Sequence, residues 1–305
     1  MREERHSGFR DAHQDSEVAR GVPRTPQTEA PAYRLAFADP DFIYRDDLRP
    51  VRLQLELLKP ELVLSEAGVD STVVLFGGAR IRRPEASPED DEAGDRHGGP
   101  DAPGAKKDRG AADAGTGMAG MLPRFYEEAR RFALEMTRRS LADGGRDWVI
   151  CTGGGPGVME AGNRGASEAG GRSIGLSIVL PHEQAPNVYV TPDLCFNFHY
   201  FGIRKMHFLM RALAIAVFPG GFGTLDETFE ALTLIQTGRM EQVPVLLFGE
   251  AFWRRIIDFE ALVEAGTISR ADLDLFRFVE TAEAAISEID RWPDAGRKRA
   301  TIPGR

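Results

Sequence analysis

The chain is poor in two reactive residues: its 305 positions hold two cysteines, Cys151 and Cys195, and five lysines, Lys59, Lys106, Lys107, Lys205 and Lys298. Two cysteines allow at most one bridge and form no CxxC pair, which excludes a disulfide framework and a cysteine zinc site. A reducing cytoplasm is the expected compartment. Positive charge is also short. A net charge of -9 excludes a general phosphate-backbone binder, because such binding needs a surplus of Lys and Arg, so nucleic acid is not expected as a partner. No apolar run approaches the roughly 18 to 20 residues that cross a bilayer, and the first residues lack the apolar stretch of a cleaved signal. Neither membrane insertion nor secretion is expected. The chain has no GxxxxGK[ST] segment, and neither GGGPG nor PGGFG completes GxGxxG, so a P-loop ATPase and a standard dinucleotide site lack their defining residues.

What is present falls into blocks. Residues 1–40 are polar and interrupted by Pro23, Pro26 and Pro31, and read as a disordered tail. Residues 41–70 carry Leu48, Val51, Leu53, Leu55, Leu58 and Leu62 and read as a helical N-terminal extension, in one or two helices despite Pro50 and Pro60. From residue 71 to 292, apolar strands near Thr72–Phe76, Trp148–Cys151, Ser173–Leu180, Ala214–Phe218 and Pro244–Phe248 alternate with amphipathic helices. This alternation predicts an α/β domain: a Rossmann-like, doubly wound parallel sheet with helices on both faces. Residues 82–117 contain no Val, Ile, Leu, Met, Phe, Tyr or Trp and read as a disordered insertion; residues 293–305 read as a tail.

In a doubly wound sheet, ligands sit beyond the C-terminal ends of the strands. Three glycine-rich loops stand there: Gly77-Gly78, Gly153-Gly154-Gly155-Pro156-Gly157, and Pro219-Gly220-Gly221-Phe222-Gly223-Thr224. Glycines let amide N–H groups approach a ligand, and a helix N-terminus attracts anions, so phosphate is the natural ligand. Tight strand-to-helix turns need glycine in any case, which gives each loop alone a purely structural explanation. The sequence Thr224-Leu225-Asp226-Glu227 also has the form of a capping box, which accounts for Glu227 without catalysis. Arg204 and Lys205 stand among Phe201, Ile203, Met206 and Phe208, a segment expected to be largely buried, where a basic pair needs an anionic partner. His199 and His207 flank that pair without HExxH or clustered carboxylates, so no metal is expected.

PGGFGTLDE (Pro219 to Glu227), Arg204-Lys205 before it, and GGGPGVMEAGNRGA together resemble the LOG family of nucleoside 5′-monophosphate phosphoribohydrolases, long labelled lysine decarboxylases. The resemblance runs from about Thr72 to Ile289. It implies a Rossmann-like homodimer or larger assembly that needs no cofactor and releases free base and ribose 5-phosphate from a nucleoside monophosphate such as AMP or a cytokinin riboside 5′-monophosphate. Carried over by matched position, Arg204 and Glu227 form the catalytic pair with Lys205 beside them. Gly220, Gly221, Phe222, Gly223 and Thr224 form the phosphate loop; Gly154, Gly155 and Met159 line the nucleotide pocket; Thr233 and Glu183 are further ligand contacts.

The chemistry agrees with these residue types. Breaking a C1′–N bond builds positive charge on the ribose, and a carboxylate beneath the ring stabilises it or positions water. Arginine stays protonated at neutral pH, so Arg204 fits orientation or charge stabilisation better than proton donation. Two other readings compete. A non-catalytic nucleotide or cofactor carrier would need the phosphate loop but no carboxylate below the ribose. A pyridoxal-phosphate decarboxylase would need a Schiff-base lysine, and four of the five lysines lie in the extension, insertion or tail.

Overall fold

The computed structural model describes residues 10–81, 83, 118–180 and 185–292. The expected 82–117 insertion, Arg83 apart, and the 293–305 tail lie outside the described residues. The chain divides into two units, one ending at Glu56 and the other starting at Leu57.

In the first unit, the stretch read as a featureless tail contains helix α1, Ala12–Arg20. It opens on a reciprocal cap: Gln14 N–H donates to Asp11 Oδ1 at 2.8 Å and Asp11 N–H donates to Gln14 Oε1 at 3.3 Å. Such bonds are local and need no apolar stripe, which is why a search for apolar periodicity passes over them. Helix α1 and the short turns Pro26–Glu29, Pro31–Tyr33 and Ala36–Ala38 bury no residue. Helix α2, Arg49–Glu66, whose last ten residues belong to the second unit, is a single helix. Pro50 stands in its first turn, where a missing N–H breaks no helical bond.

The second unit is a seven-stranded sheet in which every pairing is parallel. Its strands are β1 (Thr72–Phe76), β2 (Val149–Thr152), β3 (Ser173–Ile178), β4 (Cys195–Phe198), β5 (Ala212–Val217), β6 (Val245–Phe248) and β7 (Arg277–Val279). Besides the single turn Met118–Met121, the helices that connect the strands or follow β7 are α3 (Arg124–Ala142), α4 (Val158–Glu168), α5 (Phe201–Met210), α6 (Phe222–Gln236), α7 (Glu250–Ile256), α8 (Phe259–Glu264) and α9 (Ala282–Arg291). The five expected strands are present; β4 and β7 are additions. Both are short edge strands of mixed burial, so neither shows the continuous apolar run that marks a central strand.

Alternation along β1 separates two cores. Val74 and Phe76 pack with Phe208, Ala231, Trp253 and Phe259 from α5 to α8 on one face. Val73 and Leu75 pack with Phe132, Ala161 and Ile286 from α3, α4 and α9 on the other. Every residue of β1 is buried, as expected for a strand covered on both faces.

The strand order is β4-β3-β2-β1-β5-β6-β7. The chain steps outward from β1 to β4, then returns to lay β5 on the other side of β1. This reversal falls at the C-terminal ends of β1 and β5, the position at which doubly wound sheets bind ligands. The glycine loops meet there: Gly78 N–H donates to Pro219 O at 2.9 Å, and Val158 N–H donates to Gly78 O at 3.3 Å.

Candidate active site at the sheet reversal

Helix α6 begins three residues earlier than the sequence suggests. Its N-cap is Gly221, with no side-chain cap, and Phe222, Gly223 and Thr224 form its first turn. The capping-box reading of Thr224 and Glu227 is therefore wrong. Thr224 lies inside the helix, and its Oγ1 sits 2.1 Å from where a Cβ on Gly220 would stand, so only glycine fits at position 220. With no side chain closing the turn, its first N–H groups are open to an anion. Open space stands where side chains on Gly221 and Gly223 would be, and Phe222 is 91% exposed.

Freed from capping, Glu227 is a buried carboxylate in the second turn of α6. Arg204 of α5 faces it with Nη1 at 3.9 Å from Oε1. The guanidinium is held from two further sides: Nε donates to Leu176 O of β3 at 2.7 Å, and the group lies over the Phe208 ring, 5.0 Å from its centroid. Gly153 makes this placement possible, because a Cβ there would stand 2.8 Å from both Arg204 Nη2 and Met159 Sδ. Met159 is thus brought to the site with Arg204. Burial pushes the Glu227 carboxyl up to about 7; Arg204 and Lys205 oppose the shift, while Glu230 and Asp226 add to it. The pairing is too loose to cancel desolvation.

Lys205, the next residue of α5, does not point at Glu227 alone. Its Nζ stands 2.7 Å from Asp226 Oδ2 and 3.2 Å from Glu230 Oε2. The i, i+4 spacing of Asp226 and Glu230 on α6 is the signal in the sequence that both can face one cation. The segment around the basic pair is also less buried than expected: Phe208 is buried, but Phe201 and Met206 are about half exposed. Only one side of α5 packs on the sheet.

The loop after β2 is built differently. Gly154 N–H donates to Thr152 Oγ1 at 2.9 Å, and Asn187 Nδ2 donates to Gly154 O at 3.0 Å and Gly155 O at 2.9 Å. Behind them, the fully buried Asn163 accepts from Thr152 Oγ1 at 2.7 Å and from Asn187 at 2.9 Å, and donates to Ser173 Oγ at 3.0 Å. The N–H of Gly154 is thus already engaged inside the protein. Asn163 and Asn187 were missed by sequence reasoning, although Asn163 shares the small and apolar face of α4 with Ala161, Gly162, Gly165 and Ala166, which is a signal in itself. Thr233 is exposed on α6. Six residues beyond Glu227, it is turned by about 120° from that side chain, and the structure does not bring it to the pair. Glu183 lies outside the described residues. Among the described residues, no group of three or more His, Cys, Asp or Glu is placed to hold a metal ion, and no helix is long and apolar enough to cross a membrane.

With this geometry established, comparison with known proteins is informative. A family model described as "Possible lysine decarboxylase" matches residues 159–289, from Met159 through Arg204, Lys205 and the whole Pro219–Glu227 segment to α9. The LOG-family resemblance is supported. The Arabidopsis thaliana protein named cytokinin riboside 5′-monophosphate phosphoribohydrolase LOG3 is 24% identical over 156 residues, 50% of this chain and 71% of its own length. The Arabidopsis thaliana protein named LOG4 with the same activity is also 24% identical, over the same shares. Among solved structures, TM1055 is 20% identical with a TM-score of 0.40, covering 72% of this chain and 98% of that one. The molybdenum cofactor binding protein of Rippkaea orientalis is 18% identical with a TM-score of 0.39, covering 72% and 96%.

Proposed function

We propose that this chain is a nucleoside 5′-monophosphate phosphoribohydrolase that cleaves the N-glycosidic bond of AMP or a cytokinin riboside 5′-monophosphate, giving free base and ribose 5-phosphate. The observation that carries the reading is the buried Glu227 facing Arg204, one turn beyond an uncapped helix N-terminus at the reversal of the sheet. The relatives named for this activity support it.

In this reading, the N–H groups of Gly223 and Thr224 at the start of α6 take the 5′-phosphate, where the helix dipole favours negative charge. As the C1′–N bond lengthens, its electron pair leaves with the base and positive charge grows on the ribose. The Glu227 carboxylate stabilises that charge and receives a proton from the water that adds its oxygen to C1′; the proton passes on to the departing base. Arg204, fixed by Leu176 O and Phe208, orients Glu227 and the ligand. The reaction consumes only water, and the reading includes no metal or other cofactor. It also includes a homodimer, for which the exposed Phe201, Met206 and Phe222 supply apolar surface that a second copy would cover.

The test is chromatography of purified protein with a panel of nucleoside monophosphates, beside Glu227→Gln. Release of base and ribose 5-phosphate by wild type alone is the expected result, and the panel ranks the bases. Tight binding of a monophosphate with no release from any member would replace the hydrolase by a carrier.

A further inference from the structure

The two adjacent cations of α5 divide three carboxylates of α6 between them. Arg204 faces Glu227, whereas Lys205 Nζ stands between Asp226 Oδ2 at 2.7 Å and Glu230 Oε2 at 3.2 Å. Lys205 is itself mostly buried, with its side chain 16% exposed. Glu230 Oε2 is fully buried, and the lysine Nζ at 3.2 Å is the cation that compensates it. An ammonium engaged by two carboxylates on one helix has little left to offer a ligand's phosphate, and a phosphate beside those carboxylates would meet their charge.

We infer that Lys205 is a positioning residue: clamped between Asp226 and Glu230, it neutralises the acidic face of α6 around Glu227 and does not bind the ligand's phosphate. The charged groups acting on Glu227 among the described residues are Arg204 and Lys205 from α5 and Asp226 and Glu230 from its own helix. Without Lys205, the two flanking carboxylates would act on Glu227 uncompensated and favour its neutral form. This inference rests on the phosphoribohydrolase reading for its catalytic consequence, but not for its physical content.

The experiment uses the full chain with carbon-13-labelled glutamate, the Glu227 carboxyl signal being assigned by its loss in Glu227→Gln. Titrating wild type, Lys205→Met and Lys205→Arg should show the Glu227 midpoint raised by roughly half to one pH unit in Lys205→Met, the scale of a nearby charge at a partly screened site, and restored in Lys205→Arg. Kinetics on the same proteins should show kcat lowered and its acidic limb moved to higher pH, with KM for the monophosphate within about twofold of wild type. An unmoved midpoint overturns the inference. So does a KM raised about tenfold with an unchanged kcat profile, the signature of a phosphate ligand. If Lys205→Met does not fold, Glu230→Gln serves instead: removing a like charge should lower the Glu227 midpoint, and no change there overturns the inference equally. Absence of turnover in wild type would sink the phosphoribohydrolase reading, while the titration would still decide the role of Lys205.

Discussion

Two glycine-rich loops stand at the C-terminal edge of the sheet, after the strands on either side of β1, and they engage their backbone polar groups in opposite ways. After β2, the N–H of Gly154 and the carbonyls of Gly154 and Gly155 are bonded to Thr152 and Asn187, with Asn163 behind them. After β5, the turn into α6 has no side-chain cap and open space beside Gly221 and Gly223. The first loop is closed by its own hydrogen bonds, leads into α4 with Met159 and leaves room for Arg204; the second is a cradle left open at the N-terminus of a helix. Glycine content does not distinguish them, but the fate of the amide groups does.

The comparison breaks hardest at the carboxylate that follows the open loop. Glu227→Gln should lower turnover by about 10²- to 10⁴-fold, the range for loss of a group that stabilises charge or moves a proton, as measured by initial rates on the best monophosphate. The same change should raise stability. Burial lifts the Glu227 carboxyl to about 7 from its ordinary 4.5, so the folded state binds the proton more tightly than the unfolded one between those values. Stability tied to this group is present at low pH and is lost as pH rises toward 7. Glutamine removes that cost, so the gain should be on the order of 1–3 kcal/mol above pH 7 and absent below pH 4.5. Urea denaturation at the two extremes of pH checks it: an equal change at both would show that the carboxylate is not destabilised by burial. In wild type, kcat should have an acidic limb near pH 7.

A change behind the closed loop should act on the fold instead. Asn163→Ala takes one buried partner from each of Thr152, Ser173 and Asn187, a cost of roughly 2–4 kcal/mol for a broken buried network. Denaturant unfolding should show that loss. At a temperature where the variant stays folded, KM for the monophosphate should move less than about threefold. A KM raised about tenfold or more at unchanged stability would make this loop, and not the one after β5, the phosphate cradle.

Most of the fold was legible because it is written in apolar periodicity: β1, β2, β3 and β6 are continuous buried runs, β5 is buried but for Leu213, and the helices between them carry stripes. Elements that form without a stripe were not. Helix α1 rests on a cap, and β4 and β7 are half-exposed edges whose pairing depends on neighbours distant in the chain. At the site, Arg204, Glu227 and the loop between Gly220 and Thr224 could be named from their motif, but not how their bonds are shared. Thr224-Leu225-Asp226-Glu227 has the letters of a capping box, yet the helix starts at Phe222, with Thr224 in its first turn packed against Gly220. That Asn163 and Asn187 hold the neighbouring loop, and that Asp226 and Glu230 hold Lys205, depends on strands and helices meeting in space.

The smallest change isolates the open loop itself. Gly223 is in the first turn of α6, without a left-handed backbone, and nothing stands within 4 Å of where its Cβ would be. In the protein alone, Gly223→Ala should therefore be neutral or stabilising, by about 0.4–1 kcal/mol, since alanine narrows the unfolded ensemble and favours the helix. If that space is where a phosphate sits, the added methyl group stands against the ligand, and KM should rise several-fold with kcat less affected. Opposite signs in the two measurements, a firmer helix and a weaker ligand, would mark this position as glycine for the ligand's sake. A stabilised variant with unchanged KM would place the phosphate elsewhere and leave the glycine serving only the turn.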